Sequence, residues 1–279
     1  MIQALTNHIA QTTHLTTDEA RWLLEFIFDQ PYVHLLTLAH LPKKQIVALN
    51  RILNKIRKTH QPLAYVLKQV PFLNQTIYIK PPILIPRQET EQWVYEITQQ
   101  SWMQHIRSIL DIGTGSGCIA LALAAHFKNA QVTGIDINPT AIRLAKKNAK
   151  INKINNVQFF QSNLFTKIKN KKFDLIVSNP PYIDLAKINT LNKQVIDWED
   201  KHALFAENQG LAIIEQILKQ ADQFLTMQNQ HPQLIIEIDS DQNIAIEKLA
   251  AQYHWQCTIQ KDLFGKWRTV WCKKKNAEK

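Results

Sequence analysis

The sequence predicts an α/β protein: a Rossmann-like domain on a seven-stranded, mostly parallel sheet, preceded by a small all-α domain. Three observations predict it. Beyond about residue 88, short apolar runs alternate with helical stretches, the pattern of a parallel sheet covered by helices on both faces. Before about residue 73, apolar positions recur at helical spacing. Three of the chain's 6 glycines fall in one window, Gly113-Thr114-Gly115-Ser116-Gly117. Average usage of about 7% would put roughly 20 glycines in a chain this long, so half of a scarce residue sits at one strand-to-helix turn.

The elements follow in order. Residues 1–73 read as a helical N-terminal domain. Thr16 and Glu19 can form a capping box, and Ala20, Leu23, Leu24, Ile27 and Phe28 then fall on one helical face. Pro31 and Pro42 interrupt the pattern. Ile46, Leu49, Leu53 and Ile56 form a second stripe, with Arg51, Lys55, Arg57 and Lys58 on its polar side and Lys43 and Lys44 just before it. Those cations read either as a solvated helix face or as a docking surface for a partner carrying negative charge. Residues 74–87 read as an extended connector or hairpin, in a stretch rich in proline and β-formers.

Residues 88–279 form the second domain. Strands are expected at 106–112, 132–137, 157–160, 173–178, 234–238, 254–259 and 268–272. Helices are expected at 89–100, 119–127, 141–150 and 211–225. The last two strands, joined around Gly265, can form an antiparallel hairpin at the end of the sheet. The tail Lys273-Lys274-Lys275-Asn276 reads as a frayed end.

Composition excludes several classes. Hydrophobic residues are 45% and charged residues 20%, which suits a folded globular chain. No apolar run reaches the roughly 18 residues of a membrane span, and the first residues lack the basic-then-apolar order of a secretory signal. The three cysteines, Cys118, Cys257 and Cys272, are odd in number and far apart, so neither a disulfide framework nor a zinc site is expected and a reducing cytoplasm is. The ten histidines show no metal-ligand spacing, so no metal is expected. The net charge of +10 suits nucleic acid, acidic proteins and ribosomal particles alike.

The chemistry begins at Asp111-Ile112-Gly113-Thr114-Gly115-Ser116-Gly117. Glycines at a strand-to-helix turn let a ligand approach the backbone. A dinucleotide fingerprint would need glycine or alanine at 118, where Cys118 stands. The order D-x-G-x-G-x-G resembles motif I of S-adenosylmethionine (SAM)-dependent methyltransferases. Asp136 ends the next strand, about 20 residues on, where a carboxylate can accept both ribose hydroxyls. A purely structural turn is the alternative.

The strand at 173–178 runs into Asn179-Pro180-Pro181-Tyr182. This element resembles the acceptor motif of methyltransferases that modify planar NH2 nitrogens. Such a nitrogen is a poor nucleophile because its lone pair is delocalised. The Asn179 side-chain oxygen and the Pro180 carbonyl can each accept one N–H and so orient the lone pair. The two prolines stiffen the loop, and Tyr182 offers a face for stacking. Positioning then carries most of the catalysis, which can reach about 7–11 kcal/mol. A tight turn with Tyr182 in the core is the alternative.

The flanking residues narrow the family. Gln61-Pro62-Leu63-Ala64-Tyr65-Val66, Phe72, Leu84-Ile85-Pro86-Arg87-Gln88-Glu89-Thr90-Glu91, Asn179-Pro180-Pro181-Tyr182-Ile183, Asp197-Trp198-Glu199 and Lys261-Asp262-Leu263-Phe264-Gly265-Lys266-Trp267-Arg268 occur in that order. Together they resemble the release-factor glutamine methyltransferases over most of residues 60–279. The resemblance implies methyl transfer from SAM to N5 of the glutamine in the Gly-Gly-Gln motif of peptide-chain release factors. It implies a cytoplasmic enzyme that needs neither membrane nor nucleic acid. It places Gly113, Thr114, Gly115, Ser116, Gly117, Asp136, Asn163, Leu164 and Asn179 on SAM. Asn179, Pro180, Pro181 and Tyr182 would bind the substrate, with Asn179, Pro180 and Tyr182 catalytic. Arg87, Thr90 and Glu91 would shape a lid, and the helical domain would grip the release factor.

Four positions depart from that pattern: Lys68 and Ser240 stand where the family tends to have glycine, Gln88 where it has proline, and Asn163 where it has aspartate. An amide at 163 can still accept from an adenine amino group, with less charge assistance. A nucleic-acid amino methyltransferase, acting on adenine N6 or on guanine N2 of ribosomal RNA, is the alternative enzyme, although no segment reads as a target-recognition domain. A binding module on a degenerate SAM fold is the non-enzymatic alternative.

Overall fold

The computed structural model describes residues 1–226 and 231–274. The chain divides into two compact units, Met1–Lys68 and Gln69–Lys279. The first unit is helical: α1 (Ile2–Thr12), α2 (Thr17–Phe28), α3 (Tyr32–Leu35), α4 (Lys43–Thr59) and α5 (Leu63–Leu67). The capping box forms as the sequence predicts. Thr16 Oγ1 accepts the Glu19 N–H at 3.1 Å, and the Thr16 N–H donates to Glu19 Oε2 at 2.8 Å. Two orphan donors of the first turn are thereby satisfied. Ile2, Ile9, Leu23, Leu24, Leu49, Leu53 and Ile56 make the core of this unit. Ile46, expected in the buried stripe, is exposed, as are all six basic residues of α4. Arg57 reaches back to the carbonyl and hydroxyl of Thr12. Lys68 adopts φ 62° after α5, the left-handed position that favours glycine.

The second unit opens with the antiparallel pair β1 (Gln69–Phe72) and β2 (Gln75–Tyr78), then α6 (Gln88–Thr98). Alternation follows: β3 (Ser108–Ile112), α7 (Cys118–His126), β4 (Gln131–Asp136), α8 (Pro139–Ile151), β5 (Val157–Gln161) and β6 (Leu175–Ser178). Next come β7 (Ile183–Asp184), α9 (Lys193–Trp198), α10 (Lys201–Leu204), β8 (Phe205–Ala206) and α11 (Ala212–Gln220). The last elements are β9 (Leu234–Glu237), α12 (Asn243–Gln252), β10 (Trp255–Lys261) and β11 (Trp267–Lys274). The seven-stranded sheet has the order β10-β11-β9-β6-β3-β4-β5. Its pairs are parallel from β9 through β5, and β11 is antiparallel to both neighbours.

The period of two sorts side chains to the two faces. Ile109 joins one buried cluster with residues of α6 and α7, while Leu110 and Ile112 join the other with residues of α11 and α12. Helix α7 is apolar on all sides, with residues 118–124 buried, as a helix enclosed by its surroundings requires. Asn138 caps α8 by accepting the Thr140 N–H at 2.8 Å, and Pro139 takes the first helical position, where its missing N–H costs nothing.

Two expectations change. Lys273 and Lys274 belong to β11, because the hairpin register pairs them with Gln256 and Trp255; Lys275 and Asn276 lie outside the described residues. Cys257 and Cys272 are joined in a disulfide. Far apart in sequence, they face each other across β10 and β11, where the register pairs Cys257 with Cys272. Cys118 is a free, buried thiol, and burial pushes it up to about 12, which leaves it unreactive.

Gly134 is needed for space. A Cβ there would lie 2.5 Å from two Phe159 ring atoms and 2.8 Å from Thr114 Oγ1. Gly134→Ala is therefore expected to cost about 1–3 kcal/mol through overpacking. Urea denaturation checks this: the midpoint falls at constant slope, and an unchanged midpoint contradicts it.

Candidate active site

Four neighbouring parallel strands, β6, β3, β4 and β5, end on the same edge of the sheet. The loops that follow them meet around a cavity of about 650 Å3, a size typical of small-molecule sites. The register fixes who meets whom: Ile112 pairs with Ile135 on one side and with Ser178 on the other. The next residues in each chain are Gly113, Asp136 and Asn179. The connection after β3 leads to β4 and the one after its neighbour β6 leads toward β9 on the opposite side, which makes this the switch point at which open α/β sheets bind ligands.

The glycine turn lines the cavity with Gly113 and Gly115. Thr114, Ser116 and Gly117 are buried behind it. Thr114 Oγ1 donates to Asp111 Oδ2 at 2.6 Å, and the Gly117 N–H donates to the Thr114 carbonyl at 2.8 Å. Asn148 braces the turn from α8, donating to the Ser116 carbonyl at 2.8 Å. These three residues shape the turn, while the two flanking glycines face the space.

Asp136 stands on the cavity wall. Its Oδ2 accepts the Gly115 N–H at 2.9 Å and its Oδ1 accepts the Asn138 N–H at 2.8 Å. Burial raises its carboxyl above the usual range, against the pull of those two donors. Each oxygen keeps a lone pair for a diol. Asn163 and Leu164, after β5, also line the cavity. Ile137, a cavity residue 61% exposed, and Asp200 belong to no motif of the sequence, yet both line the cavity. Asp200 enters from the loop after α9 and accepts from Asn138 Nδ2 at 3.3 Å.

The acceptor motif contributes Asn179, Pro180 and Pro181 to the same cavity. Asn179 Nδ2 donates to Thr90 Oγ1 at 3.1 Å. Tyr182 does not join the cavity lining. Its hydroxyl donates to Glu237 Oε1 at 2.9 Å, and burial, then the Glu237 charge, lifts its pKa well above the usual tyrosine value. Gly210 holds the motif from behind: a Cβ there would sit 1.9 Å from the Tyr182 carbonyl oxygen, and its φ of +82° also suits glycine.

Arg87, Thr90 and Glu91, expected at a lid, lie off the cavity surface. Arg87 Nη2 lies 2.7 Å from both oxygens of the buried Glu199, tying the segment before α6 to the loop after α9. Glu91 accepts the Leu73 N–H. Thr90 is buried against Glu237. Glu237 carries no motif of its own, and only its place at the end of β9 brings it behind Asn179. Its carboxyl is raised by burial and held down by hydrogen bonds from Trp93, Thr90 and Tyr182 and by the Arg268 charge.

Residues 90–199 match the family model described as "Methyltransferase small domain". The chain is 37% identical to the release factor glutamine methyltransferase of Fusobacterium nucleatum over 90% of its own length and 72% of that relative. It belongs to the release factor glutamine methyltransferase family. With the enzyme of that name from Francisella tularensis it is 44% identical, over 60% of this chain and 59% of the relative. The fold is also that of a ribosomal protein L11 methylase from Lactobacillus delbrueckii, with TM-score 0.53 and 23% identity over 72% of this chain and 86% of that one. Among the described residues no cluster of His, Cys, Asp and Glu suits a metal ion, and no helix is long and apolar enough to cross a membrane.

Asp111 supports the turn at a cost. It is fully buried, Oδ2 accepts from Thr114 Oγ1 and the Ala120 N–H, and Oδ1 has no partner. Burial pushes its pKa from 3.8 up to about 7. The folded state therefore holds this proton to higher pH than the unfolded chain, so the group destabilises the fold progressively between those two values and no further above them. Asp111→Asn removes that titration. In thermal melts of the ligand-free protein, the melting temperature of the variant minus that of the native chain is expected to rise across this window and level off beyond it. A difference independent of pH contradicts the assignment.

Proposed function

We propose that this chain transfers a methyl group from SAM to the side-chain amide nitrogen, N5, of the glutamine in the Gly-Gly-Gln motif of peptide-chain release factors. The observation that carries the reading is the single cavity wall shared by a diol acceptor, Asp136, and an amide acceptor pair, Asn179 and Pro180. SAM supplies a methyl group on a positively charged sulfur, so the transfer needs no metal or redox partner. The nucleoside fits the Asp136 end. Gly113 and Gly115 allow close approach of the main chain. Ile137 and Leu164 offer apolar surface to a purine, and Asn163 offers an amide to its edge. Asp200 and Asp136 place negative charge beside a cationic ligand.

At the other end, Asn179 Oδ1 and the Pro180 carbonyl accept the two amide N–H groups of the glutamine. Both acceptors stand on a stiff loop, so little motion is left to arrest when substrate enters. The nitrogen forms its bond to the methyl carbon as the carbon–sulfur bond breaks, and sulfur keeps the electron pair. The alkylated nitrogen becomes acidic and loses its proton to an acceptor oxygen or water. Pro181 shapes the loop, and Tyr182 supports it from behind through Glu237.

The helical region, 1–73 in the sequence reading, serves as the docking domain for the release factor. The exposed Lys43, Lys44, Arg51, Lys55 and Lys58 supply a basic face for it. Such a substrate sets the reaction in the cytoplasm and requires no nucleic acid. Incubation with labelled SAM and, separately, release factor, DNA and ribosomal RNA tests the reading: label is expected on the Gly-Gly-Gln glutamine, and label only on nucleic acid overturns it. Asn179→Ala is expected to abolish transfer while SAM affinity, read by calorimetry, stays within about twofold. Loss of SAM binding would reassign Asn179 to the cofactor.

A further inference from the structure

An asparagine amide is useful here only if its oxygen, not its nitrogen, faces the acceptor nitrogen. The two ends of an amide are nearly equal in shape, so something must choose. The choice is made behind Asn179. Trp93 Nε1 lies 2.7 Å from Glu237 Oε2, and an indole N–H can only donate. Oε2 is therefore an acceptor. Thr90 Oγ1 lies 2.7 Å from the same oxygen, so the single hydroxyl proton of Thr90 is directed to Glu237. Toward Asn179, at 3.1 Å, Thr90 Oγ1 has only a lone pair left. The group of Asn179 that faces it must be the NH2, and Oδ1 is turned to the other side. Tyr182, donating to Oε1, completes the set of three donors on the buried carboxylate.

We propose that Glu237, acting through Thr90, is a positioning element that sets the polarity of the Asn179 amide and presents its oxygen to the acceptor nitrogen. The proposal rests on the reading of Asn179 as the acceptor-binding residue. Glu237 and Thr90 touch neither substrate nor cofactor in it. The indole can only donate, and with Glu237 ionised the remaining roles follow from it. The indole fixes Glu237 Oε2, Oε2 fixes the Thr90 proton, and Thr90 fixes the Asn179 nitrogen. Glu237, Thr90 and Trp93 are all buried, so water does not compete freely for these bonds.

The test uses Thr90, whose exchange for valine removes the hydroxyl at nearly constant volume. In Thr90→Val, kcat for release-factor methylation is expected to fall roughly tenfold or more, the scale of one lost hydrogen bond with a buried group left unpaired. KM for the release factor and Kd for SAM stay within about threefold. Thr90→Ser, which keeps the hydroxyl and loses the methyl, restores kcat to within about threefold of the native value. Thr90→Ala should match Thr90→Val, and covers the case in which the valine variant does not fold. A full kcat in the valine or alanine variant, or a serine variant as impaired as they are, overturns the proposal.

A second readout needs no turnover. In full-length protein labelled with 15N-asparagine, the side-chain NH2 signals of Asn179, identified by their loss in Asn179→Ala, should be shifted and slow to exchange in the native and serine proteins. In the valine or alanine protein they should shift and exchange fast. Signals that ignore Thr90 overturn the relay. If native protein labels no release factor, the proposed substrate fails, and the NMR result still decides the relay.

Discussion

The site depends on one register. β3 pairs in parallel with β4 and β6 so that Ile112 lies opposite both Ile135 and Ser178. A parallel sheet sends all its strand ends to one edge, so the glycine turn, Asp136 and Asn179 arrive together from three separate stretches of chain. A Cβ on Gly113 would stand 3.7 Å from the Asn179 carbonyl. A slip of one residue would exchange the two faces of a strand and strand its apolar side chains in the wrong layer. The packing of Leu110 and Ile112 in one cluster and Ile109 in the other therefore protects the site geometry as well as the core.

Buried polar groups then turn that placement into orientation. Asn148 is fully buried and makes a two-way bridge to the backbone of Tyr78 while also holding the Ser116 carbonyl. It joins β2, α8 and the glycine turn. Glu199 holds the Arg87 guanidinium and fixes the loop that carries Asp200. Glu237 holds Thr90, Trp93 and Tyr182. Each is a carboxylate or amide taken out of water, which is unfavourable unless its hydrogen bonds are made. Such groups tolerate one arrangement, and that arrangement points the acceptor motif into the cavity.

Much of the chemistry was legible in the chain. D-x-G-x-G-x-G at 111–117, Asp136 after the next strand and Asn179-Pro180-Pro181-Tyr182 after the fourth are local patterns, because each is a strand followed by the loop it delivers. The capping box at Thr16 and Glu19 was legible for the same reason. What was not legible depended on long-range partners. The side chain of Tyr182 was read as a stacking face, yet its partner Glu237 lies 55 residues away and belongs to another strand. Arg87 finds Glu199 across 112 residues. Cys257 and Cys272 meet because a hairpin register aligns them, and spacing alone does not state a register.

The six glycines show the division most simply. Their scarcity in the sequence drew attention to the places they hold, and three of them marked the turn. The sequence determined that something there needed bare backbone. Only the tertiary structure decided why at each place. Gly134 leaves room for the Phe159 ring, and Gly210 lies against the carbonyl of Tyr182. Local pattern is set by covalent neighbours and backbone sterics, which the sequence carries in full. Close approach is set by which distant atoms arrive at the same point, and that is settled when the sheet and its helices pack together.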